Sequence, residues 1–566
     1  MEISYKQKEA TKYAQCFFLP AFILAVLLFP VFTHGQFNPT FLHQAAPGDN
    51  LISCIVPDAN GNVYIAGNTT DSISIGTNTL HHSGGFISKY DSLSQNQWII
   101  PAGKYIDYPQ RKMPKIAIDS NQELLVVGEF DSICNVGNAT ITDSLAGNTF
   151  IAKTDGTGSV LWLKKLYGSG LKIYDMSLDM NNNILLTGTF YLALIFGNDT
   201  LIPDSPEIIT IKLDPGGNYL WMRMAGGLSP YVENTEAVSS DQDGNVYIAG
   251  QLRSINPVFD SITIPNPVNI ASIGFIAKYD SSGNIQYAKK CGFYCYDIHS
   301  SAGGELSVVG SIVTIGLEYD TAFIPTQFGN GSTFIARIGN NGAIKWANFI
   351  DSDVSSVFAV TADLSGNSYF IGVCRDTARI YGSNDTLLLV NIKFPPDSFP
   401  YGYIFALDST GNPFFGNMLE GDLTGLFMND ITVSNCGIYI AGTFKSLLKP
   451  FYYQNDSITN SGGYDGFVLI ENACNLATTA AEFNSDAVHH TINAFPNPFH
   501  DEINIINNQN KAMEIVLVDS RMRELVKASG SGPLKLNTSA LSAGLYILYS
   551  KNLSDGIILR NKLVKQ

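Results

Sequence analysis

The amino-acid sequence predicts an all-β protein, in which a seven-bladed β-propeller is followed by a small immunoglobulin-like β-sandwich. Two observations predict the propeller: a short apolar strand that ends in glycine occurs seven times, and its copies lie about sixty residues apart. A third observation predicts the sandwich, because short alternating strands broken by turns fill residues 492–566.

The recurring strand reads GNVYIAG, letter for letter, at residues 61–67 and again at residues 244–250. Weaker copies are spaced by 60 to 62 residues, except for the last interval, which is 70. A fixed period of this length is typical of repeat architectures. The seven copies end at Gly67, Gly128, Gly188, Gly250, Gly310, Gly372 and Gly442.

Further strands follow each copy. A second strand, such as GFISKYD or TFIAKTD, follows at a similar distance, and in six copies a third strand comes next, often with tryptophan. With the strand that enters the turn, one unit holds about four strands, which is the content of one propeller blade. The seventh copy lacks its last strand, and the segment before the first repeat fits that place. We therefore predict that residues 38–48 pair with residues 463–472 and close the ring.

The residues that recur from unit to unit have a geometric explanation. The turns DANGN at residues 58–62 and DQDGN at residues 241–245 place Asp, Asn and Gly where a tight hairpin needs positive φ. The glycine that ends each strand allows a neighbouring backbone to approach closely. We interpret Asp241 and Asp243 as turn residues, because a calcium loop needs more oxygen ligands than this segment supplies.

Composition and charge narrow the classes of function. Of 566 residues, 45% are apolar and only 15% are charged, with 51 glycines and 27 tyrosines, as in a folded, strand-rich chain. The net charge of −16 leaves no basic stripe to neutralise phosphates. We therefore expect no nucleic-acid partner.

The first residues have the three parts of a secretory signal. Lysines at positions 6, 8 and 12 precede an apolar run over residues 16–32, and a small residue, Gly35, precedes a polar start. We predict a signal peptide over residues 1–35. A retained membrane anchor is the alternative, because the apolar run is nearly long enough to span a bilayer when tilted. No other segment has that length and hydropathy, so we expect no transmembrane anchor in the mature chain.

Seven cysteines remain after the predicted cleavage, and an odd number spread over a long chain is not typical of a disulfide scaffold. Cys291 with Cys295, and Cys436 with Cys474, are the candidate pairs for bridges in an oxidising compartment. A metal site at Cys291 and Cys295 is disfavoured, because no second pair of ligands lies at a suitable spacing.

The GNVY and FIAKYD motifs make residues 37–475 resemble bacterial β-propeller repeat families. The resemblance covers all seven units and implies the propeller fold. Those families are not tied to one activity, so the resemblance implies no ligand.

A small, polar linker occupies residues 476–491, and strong motifs follow it. The motif PNPF, an apolar strand ending at Asp519, the segment GLY and lysines near the last residue resemble the C-terminal sorting domain of type IX secretion cargo. The resemblance implies passage through the periplasm, recognition by the type IX machinery, and removal of the domain by a sortase-like protease. The motif residues are Pro496, Asn497, Pro498, Phe499, Gly544, Tyr546, Lys562 and Lys565.

The connections between strands contain triplets of Asp, then Ser or Thr, then an aliphatic residue. These triplets resemble the O-glycosylation acceptors of bacteria with type IX export, and they equally fit turns, which favour Asp and Ser. Both interpretations stay open. The triplets begin at Asp71, Asp91, Asp131, Asp199, Asp260, Asp385 and Asp456.

Neither the GxSxG pattern of serine hydrolases nor the HExxH pattern of zinc metalloproteases occurs in the sequence. Adjacent residues on an extended segment point apart, so we interpret His81 and His82 as a solvated pair rather than metal ligands. We predict no catalytic residue, no cofactor and no metal site.

These observations favour a secreted or cell-surface, non-catalytic propeller that serves as a binding or structural platform, with a glycan or a surface protein as ligand. The alternative is a propeller-based carbohydrate-active enzyme, either a polysaccharide lyase or a glycosidase. The prominent acids fall at repeated positions, which favours a structural role. An unrepeated acidic and basic pair projecting into the channel would favour the enzyme.

Overall fold

The structure, a computed structural model, contains strands and turns but no helix in the residues that it describes. The predicted signal peptide, the linker, Cys436, Cys474 and the PNPF motif lie outside these residues. The described residues are 40–43, 49–104, 114–144, 148–166, 170–196, 199–228, 232–266, 272–313, 316–326, 333–351, 355–375, 377–382, 386–390, 401–420, 423–434, 437–446, 451–453, 456–458, 463–472, 492–495, 500–507, 513–519, 524–531, 533–542, 544–552 and 558–565.

Seven antiparallel sheets, the blades, follow strand β1 (Thr40–His43). Blade 1 contains β2 (Asn50–Pro57), β3 (Val63–Thr69), the hairpin of β4 (Ser72–Ile75) and β5 (Asn78–His81), β6 (Gly84–Tyr90) and β7 (Asn96–Pro101). Blade 2 contains β8 (Lys115–Ile118), β9 (Leu124–Phe130), the hairpin of β10 (Ile133–Val136) and β11 (Ala139–Thr142), β12 (Asn148–Thr154) and β13 (Val160–Leu166). Blade 3 contains β14 (Lys172–Leu178), β15 (Ile184–Phe190), the hairpin of β16 (Leu194–Phe196) and β17 (Asp199–Leu201), β18 (Glu207–Leu213) and β19 (Tyr219–Gly226).

The next four blades repeat this order. Blade 4 contains β20 (Asn234–Ser240), β21 (Val246–Leu252), the hairpin of β22 (Val258–Phe259) and β23 (Ile262–Thr263), β24 (Ile273–Tyr279) and β25 (Ile285–Lys290). Blade 5 contains β26 (Tyr294–Ser300), β27 (Leu306–Ser311), the hairpin of β28 (Gly316–Tyr319) and β29 (Ala322–Pro325), β30 (Thr333–Ile338) and β31 (Ile344–Asp351). Blade 6 contains β32 (Ser355–Ala362), β33 (Ser368–Cys374), the hairpin of β34 (Thr377–Tyr381) and β35 (Thr386–Val390), β36 (Tyr401–Leu407) and β37 (Pro413–Glu420). Blade 7 contains β38 (Leu423–Ser434), β39 (Gly437–Ser446), the hairpin of β40 (Phe451–Tyr453) and β41 (Asp456–Ile458), and β42 (Asp465–Asn472).

The blades form a closed ring. The first strand of each blade is the inner strand, and each inner strand contacts the next, with β38 contacting β2. Strand β1 pairs antiparallel with β42, and Thr40 lies opposite Ile470. Strand β1 thus supplies the fourth strand of blade 7, as the sequence predicts, and closes the ring between the two ends of the propeller region.

The sequence predicts that each second strand ends at the repeated glycine, but the strand continues for one or more residues beyond it. The glycine lies where a side chain has no room. A Cβ added at Gly250 would lie 2.1 Å from the Asn234 carbonyl oxygen of the inner strand. At Gly310 the Tyr294 carbonyl oxygen and the Phe334 ring would both lie within 2.5 Å of the added atom. Close packing of the inner strand therefore explains the repeated glycine.

Each inner strand leads into a turn on one face of the ring, which we call the lower face. The Asp241 carboxylate accepts hydrogen bonds from the backbone N–H groups of Asp243 and Asn245 and from the Asn245 side chain. Asp58, Asp119, Asp179 and Asp363 accept the same two backbone bonds in other blades. The DxxGN motif is therefore a turn motif, as predicted.

The lysine of the FIAKYD motif lies against the same aspartate. Lys212 Nζ is 2.9 Å from Asp179, and Lys153 Nζ is 2.6 Å from Asp119, with the side chains of both pairs nearly inaccessible to solvent. In blade 5 Ser301 stands at the place of this aspartate, and Arg337, at the place of the lysine, lies 3.2 Å from Glu305, the last residue of the turn. The motif lysine and the turn aspartate, which recur separately in the repeat, thus form one buried ion pair.

Tryptophans of the fourth strands bind the next blade. Trp221 Nε1 donates to the Ser281 carbonyl oxygen at 3.1 Å, and Trp98 donates to Gly156 at 3.2 Å. A glycine with positive φ packs against each indole ring, and at Gly283 an added Cβ would lie 2.9 Å from Trp221. These contacts join consecutive blades on the lower face.

The hairpin between the second and third strands is an element that the sequence does not predict. In three blades it extends the sheet of the preceding blade, because β22 pairs with β19, β34 with β31 and β40 with β37. Most of the Asp-Ser or Asp-Thr triplets lie on or beside these hairpins. Asp260 adopts a φ of 50°, which fits a turn residue.

The C-terminal module has two antiparallel sheets. The strands are β43 (Ile492–Phe495), β44 (Glu502–Asn507), β45 (Met513–Asp519), β46 (Glu524–Gly530), β47 (Leu534–Asn537), β48 (Gly544–Asn552) and β49 (Ile558–Lys565). The sheets have the orders β43-β44-β47 and β46-β45-β48-β49. Ile503 and Leu536 of the first sheet share a buried cluster with Leu517 and Leu548 of the second. The sheets therefore pack face to face, while the immunoglobulin-like topology stays a prediction.

Candidate binding site at the upper mouth of the channel

The seven inner strands enclose a central channel. A cavity of about 450 Å³ within it is lined by residues from all seven inner strands. A second cavity, of about 590 Å³, lies where the inner strands begin, at the end of the channel opposite the lower face. We call this second cavity the upper mouth. Its volume is in the range of small-molecule sites, roughly 300 to 1,000 Å³.

A β-bulge shapes the upper mouth. In six blades the inner strand has an unpaired residue at the same place, and a bulge re-aims a side chain away from the regular strand direction. The six residues are of five types, although the position is structurally repeated. They are Ser53, Tyr174, Glu236, Tyr296, Phe358 and Asn429, and all except Ser53 line the upper mouth.

Aromatic side chains dominate one side of this cavity. The Tyr294 and Tyr296 rings lie 4.8 Å apart between centroids, and the Phe358 ring meets Tyr296 edge-on at 6.3 Å. Phe427 lines the cavity from blade 7, and Tyr191, which is 52% exposed, lines it from blade 3. The mouth thus presents a broad aromatic surface to solvent.

Polar groups lie between the rings. The hydroxyls of Tyr174 and Thr189 are 3.2 Å apart, and Tyr294 donates its hydroxyl to the Glu236 carboxylate. Burial and the Glu236 charge raise the pKa of Tyr294 well above its usual value, so its phenol stays protonated. The mouth therefore combines ring faces with hydrogen-bonding groups.

The channel below the mouth contains charged side chains. Lys115 Nζ is 2.9 Å from Asp175, and no other blade has a lysine at the place of Lys115. The aspartate is repeated, because Asp175, Asp297 and Asp430 each accept a backbone N–H from the following blade, at 2.8 to 2.9 Å. Asp175, the acid of the pair with Lys115, thus has the same structural role as Asp297 and Asp430 in two other blades.

His299 lines the same channel. Burial, with the Arg337 guanidinium nearby, lowers the pKa of His299 to about 4. The imidazole is therefore neutral near pH 7 and carries no acidic proton for general acid catalysis there.

Several predicted site residues can be placed. Cys291 and Cys295 are free, buried thiols, and Cys295 Sγ contacts the Cys291 carbonyl oxygen at 3.2 Å, so the bridge expected between them is not formed in this structure. The His82 ring contacts the Gly103 carbonyl oxygen at 3.2 Å. No group of three potential metal ligands is present within the described ranges, and no helix there could span a membrane.

The sorting-domain motif residues lie in the C-terminal module. Gly544 begins β48, and Lys562 and Lys565 belong to β49. Tyr546 is buried and donates to the Ser542 carbonyl oxygen at 2.6 Å. Lys565 is 8% exposed, and its Nζ donates to the Thr538 carbonyl oxygen at 2.6 Å, which fixes the end of the last strand.

Comparison with protein families identifies this module. Residues 493–566 match the family described as "Secretion system C-terminal sorting domain". The protein is therefore an exported β-propeller with a type IX sorting domain, secreted or displayed at the cell surface. That domain implies interaction with the type IX secretion machinery.

Other comparisons add little. No curated protein matches the chain. One similar solved structure is a catalytically inactive virginiamycin B lyase from Staphylococcus aureus with quinupristin, with 12% identity, a TM-score of 0.39, and coverage of 76% of this chain and 99% of that one. Another is PorZ, a surface component of the type IX secretion system of Porphyromonas gingivalis, with 10% identity, a TM-score of 0.15, and coverage of 93% and 100%. Both scores are too low to carry an argument about function.

The mouth residues escaped the sequence analysis for a physical reason. The repeat is clearest in the second, third and fourth strands of each blade, whereas the inner strand varies most from blade to blade. The useful signal is that variation: residues 174, 236, 296 and 358 are of three types, within units whose other strands are alike.

Proposed function

We propose that this protein is an exported, non-catalytic binding protein that holds its ligand at the upper mouth of the propeller. The observation that carries the proposal is the set of bulge residues, which differ from blade to blade and converge on one cavity. Rigid blades that position variable residues at one mouth are typical of propeller binding sites.

The charges of the channel support binding rather than catalysis. Asp175, Asp297 and Asp430 are engaged by backbone N–H groups of neighbouring blades, which suits a structural role. The Lys115–Asp175 pair is the unrepeated pair that would favour an enzyme, but its acid belongs to this repeated set. The pair therefore supports the stability of the ring.

Two assays on the exported chain test the proposal. Incubation with a panel of polysaccharides should yield no new reducing ends and no unsaturated sugars, whereas turnover that is lost in Lys115→Met would establish the enzyme instead. In cells of a bacterium with type IX export, deletion of residues 493–566 should leave the propeller in the periplasm. Normal export of the truncated chain would refute the sorting role.

A further inference from the structure

We infer that the ligand of the upper mouth is a neutral oligosaccharide. This inference rests on the proposed function, because it names the chemical class that the same site would bind. Three properties of the mouth lead to it: a continuous aromatic surface, hydroxyl and carboxylate groups around that surface, and a balance of charge.

The aromatic surface has the right shape for sugar rings. Tyr294, Tyr296 and Phe358 come from two neighbouring blades, their rings contact one another in sequence, and all three line the cavity. A pyranose ring has a face of C–H groups, which carry partial positive charge, and the face of an aromatic ring is negative. Extended aromatic surfaces therefore stack well on successive sugar rings.

The polar groups lie where sugar hydroxyls would project. Glu236 and Tyr294 bond to each other beside the aromatic surface, and the Tyr174 and Thr189 hydroxyls form a second pair. A hydroxyl that already donates one bond can still accept others, and a carboxylate has about four acceptor sites. Each pair can thus bind a ligand hydroxyl without breaking its present bond.

The charge balance favours a neutral ligand. Three charged side chains line the mouth: Glu129, Lys172 and Glu236. Lys172 offsets one of the two acids, and Lys104 Nζ, beside the cavity, lies 3.7 Å from Glu129 and 2.9 Å from Asp131. A sulfated or uronic-acid chain would meet both carboxylates, and a cation would lack the enclosing rings that favour it.

Direct binding measurements on the exported chain test the inference. The probes are an array of neutral oligosaccharides of about two to six sugars, matched sulfated and uronic-acid oligosaccharides, and a library of short peptides. The strongest binder is then titrated by calorimetry into Tyr296→Ala, Phe358→Leu and Tyr296→Phe. Phe414→Ala is the matched control, because Phe414 is an exposed aromatic residue next to a lower-face turn.

We expect neutral oligosaccharides to bind best, with an affinity at least about tenfold lower in Tyr296→Ala and Phe358→Leu. Tyr296→Phe keeps the ring and should lose less, and Phe414→Ala should bind like the unchanged chain. Preferred binding of anionic sugars or peptides that the mouth variants weaken would overturn the inference and leave the proposed site intact. Oligosaccharide binding that none of the mouth variants weakens would overturn both the inference and the site.

Discussion

The two ends of the channel differ in how closely the seven blades resemble one another. On the lower face the same turn aspartate, basic partner, tryptophan and glycine return in blade after blade, and each has a partner in the ring. At the upper mouth one structural position carries serine, tyrosine, glutamate, phenylalanine or asparagine. Repetition thus marks residues that build the ring, and variation marks the residues that we propose to bind a ligand.

The largest loss of stability is expected at the repeated glycine of the second strand, where a side chain has no space. Gly250→Ala places a Cβ 2.1 Å from a backbone oxygen and 2.7 Å from the Thr235 Cα, so two strands must separate. We expect a loss of about 3 kcal/mol or more in the free energy of unfolding, measured by chemical denaturation. Gly303→Ala is the control, because nothing lies within 4 Å of its added Cβ. Equal stability of the two variants would break the link between repetition and structure.

The second-largest loss of stability is expected at the buried ion pair between Lys212 and Asp179. Lys212→Met leaves the Asp179 carboxylate buried with its three turn hydrogen bonds but no cation, at a cost of about 2 kcal/mol. Lys345→Met removes a half-exposed partner of Glu305 and should cost less than about 1 kcal/mol. Thermal unfolding of both variants at pH 7 checks the difference, and a larger loss in Lys345→Met would contradict it.

Because of the ion pair between Lys212 and Asp179, we expect the stability of the fold to depend on pH. Burial raises the pKa of Asp179, but bonds from Lys212 and Asn183 outweigh it and lower the pKa below its usual value. A carboxyl with a lowered folded pKa stabilises the fold above its unfolded pKa and loses that contribution as pH falls through the folded pKa. The gap in stability between the unchanged chain and Lys212→Met should therefore shrink below about pH 4. A gap that widens on acidification would contradict the assignment.

A smaller effect is expected at the contacts between blades. Trp221→Phe keeps an aromatic ring against Gly283 but loses the bond to Ser281, which should cost about 1 kcal/mol. Tyr287 packs against Gly342 in the next blade, and its hydroxyl has no hydrogen-bond partner among the described residues. Tyr287→Phe should therefore be neutral or slightly stabilising. Denaturation curves that rank these variants in the opposite order would contradict the role of the tryptophan.

The smallest effect on stability is expected at the mouth. Tyr191 is 52% exposed and lines the cavity, so Tyr191→Ala should change the free energy of unfolding by less than about 0.5 kcal/mol. A loss comparable to that of Gly250→Ala would mean that the mouth also holds the ring together. Differential scanning calorimetry distinguishes these results.

The ring was predictable from the sequence because its signals are local. Turn residues, strand alternation and the final glycine lie within about ten positions of one another, and the segments before and after the repeats supply the closing pair. The module after residue 491 was predictable because its motif residues are distinctive. The acidic partner of the lysine in the third strand was not predictable. Lys153 and Asp119 lie 34 positions apart, and neither segment contains a signal for the other.

The mouth was not predictable, because it forms from residues about sixty positions apart. Glu236, Tyr296 and Phe358 come together only when blades 4, 5 and 6 pack side by side, and no residue type in the sequence marks the bulge that orients their side chains. The hairpins that extend a neighbouring blade were missed for the same reason, since β22 finds its partner β19 only in three dimensions.

One comparison tests the central claim that repeated positions build the ring while varied positions bind the ligand. The triple variant Tyr174→Ser, Tyr296→Ser and Phe358→Ser gives each bulge the residue that blade 1 has at Ser53. Its melting temperature and its binding to the oligosaccharide array are measured beside those of Gly250→Ala. We expect the triple variant to melt above Gly250→Ala and to bind no oligosaccharide. A triple variant that melts below Gly250→Ala, or that keeps its binding, would contradict the account.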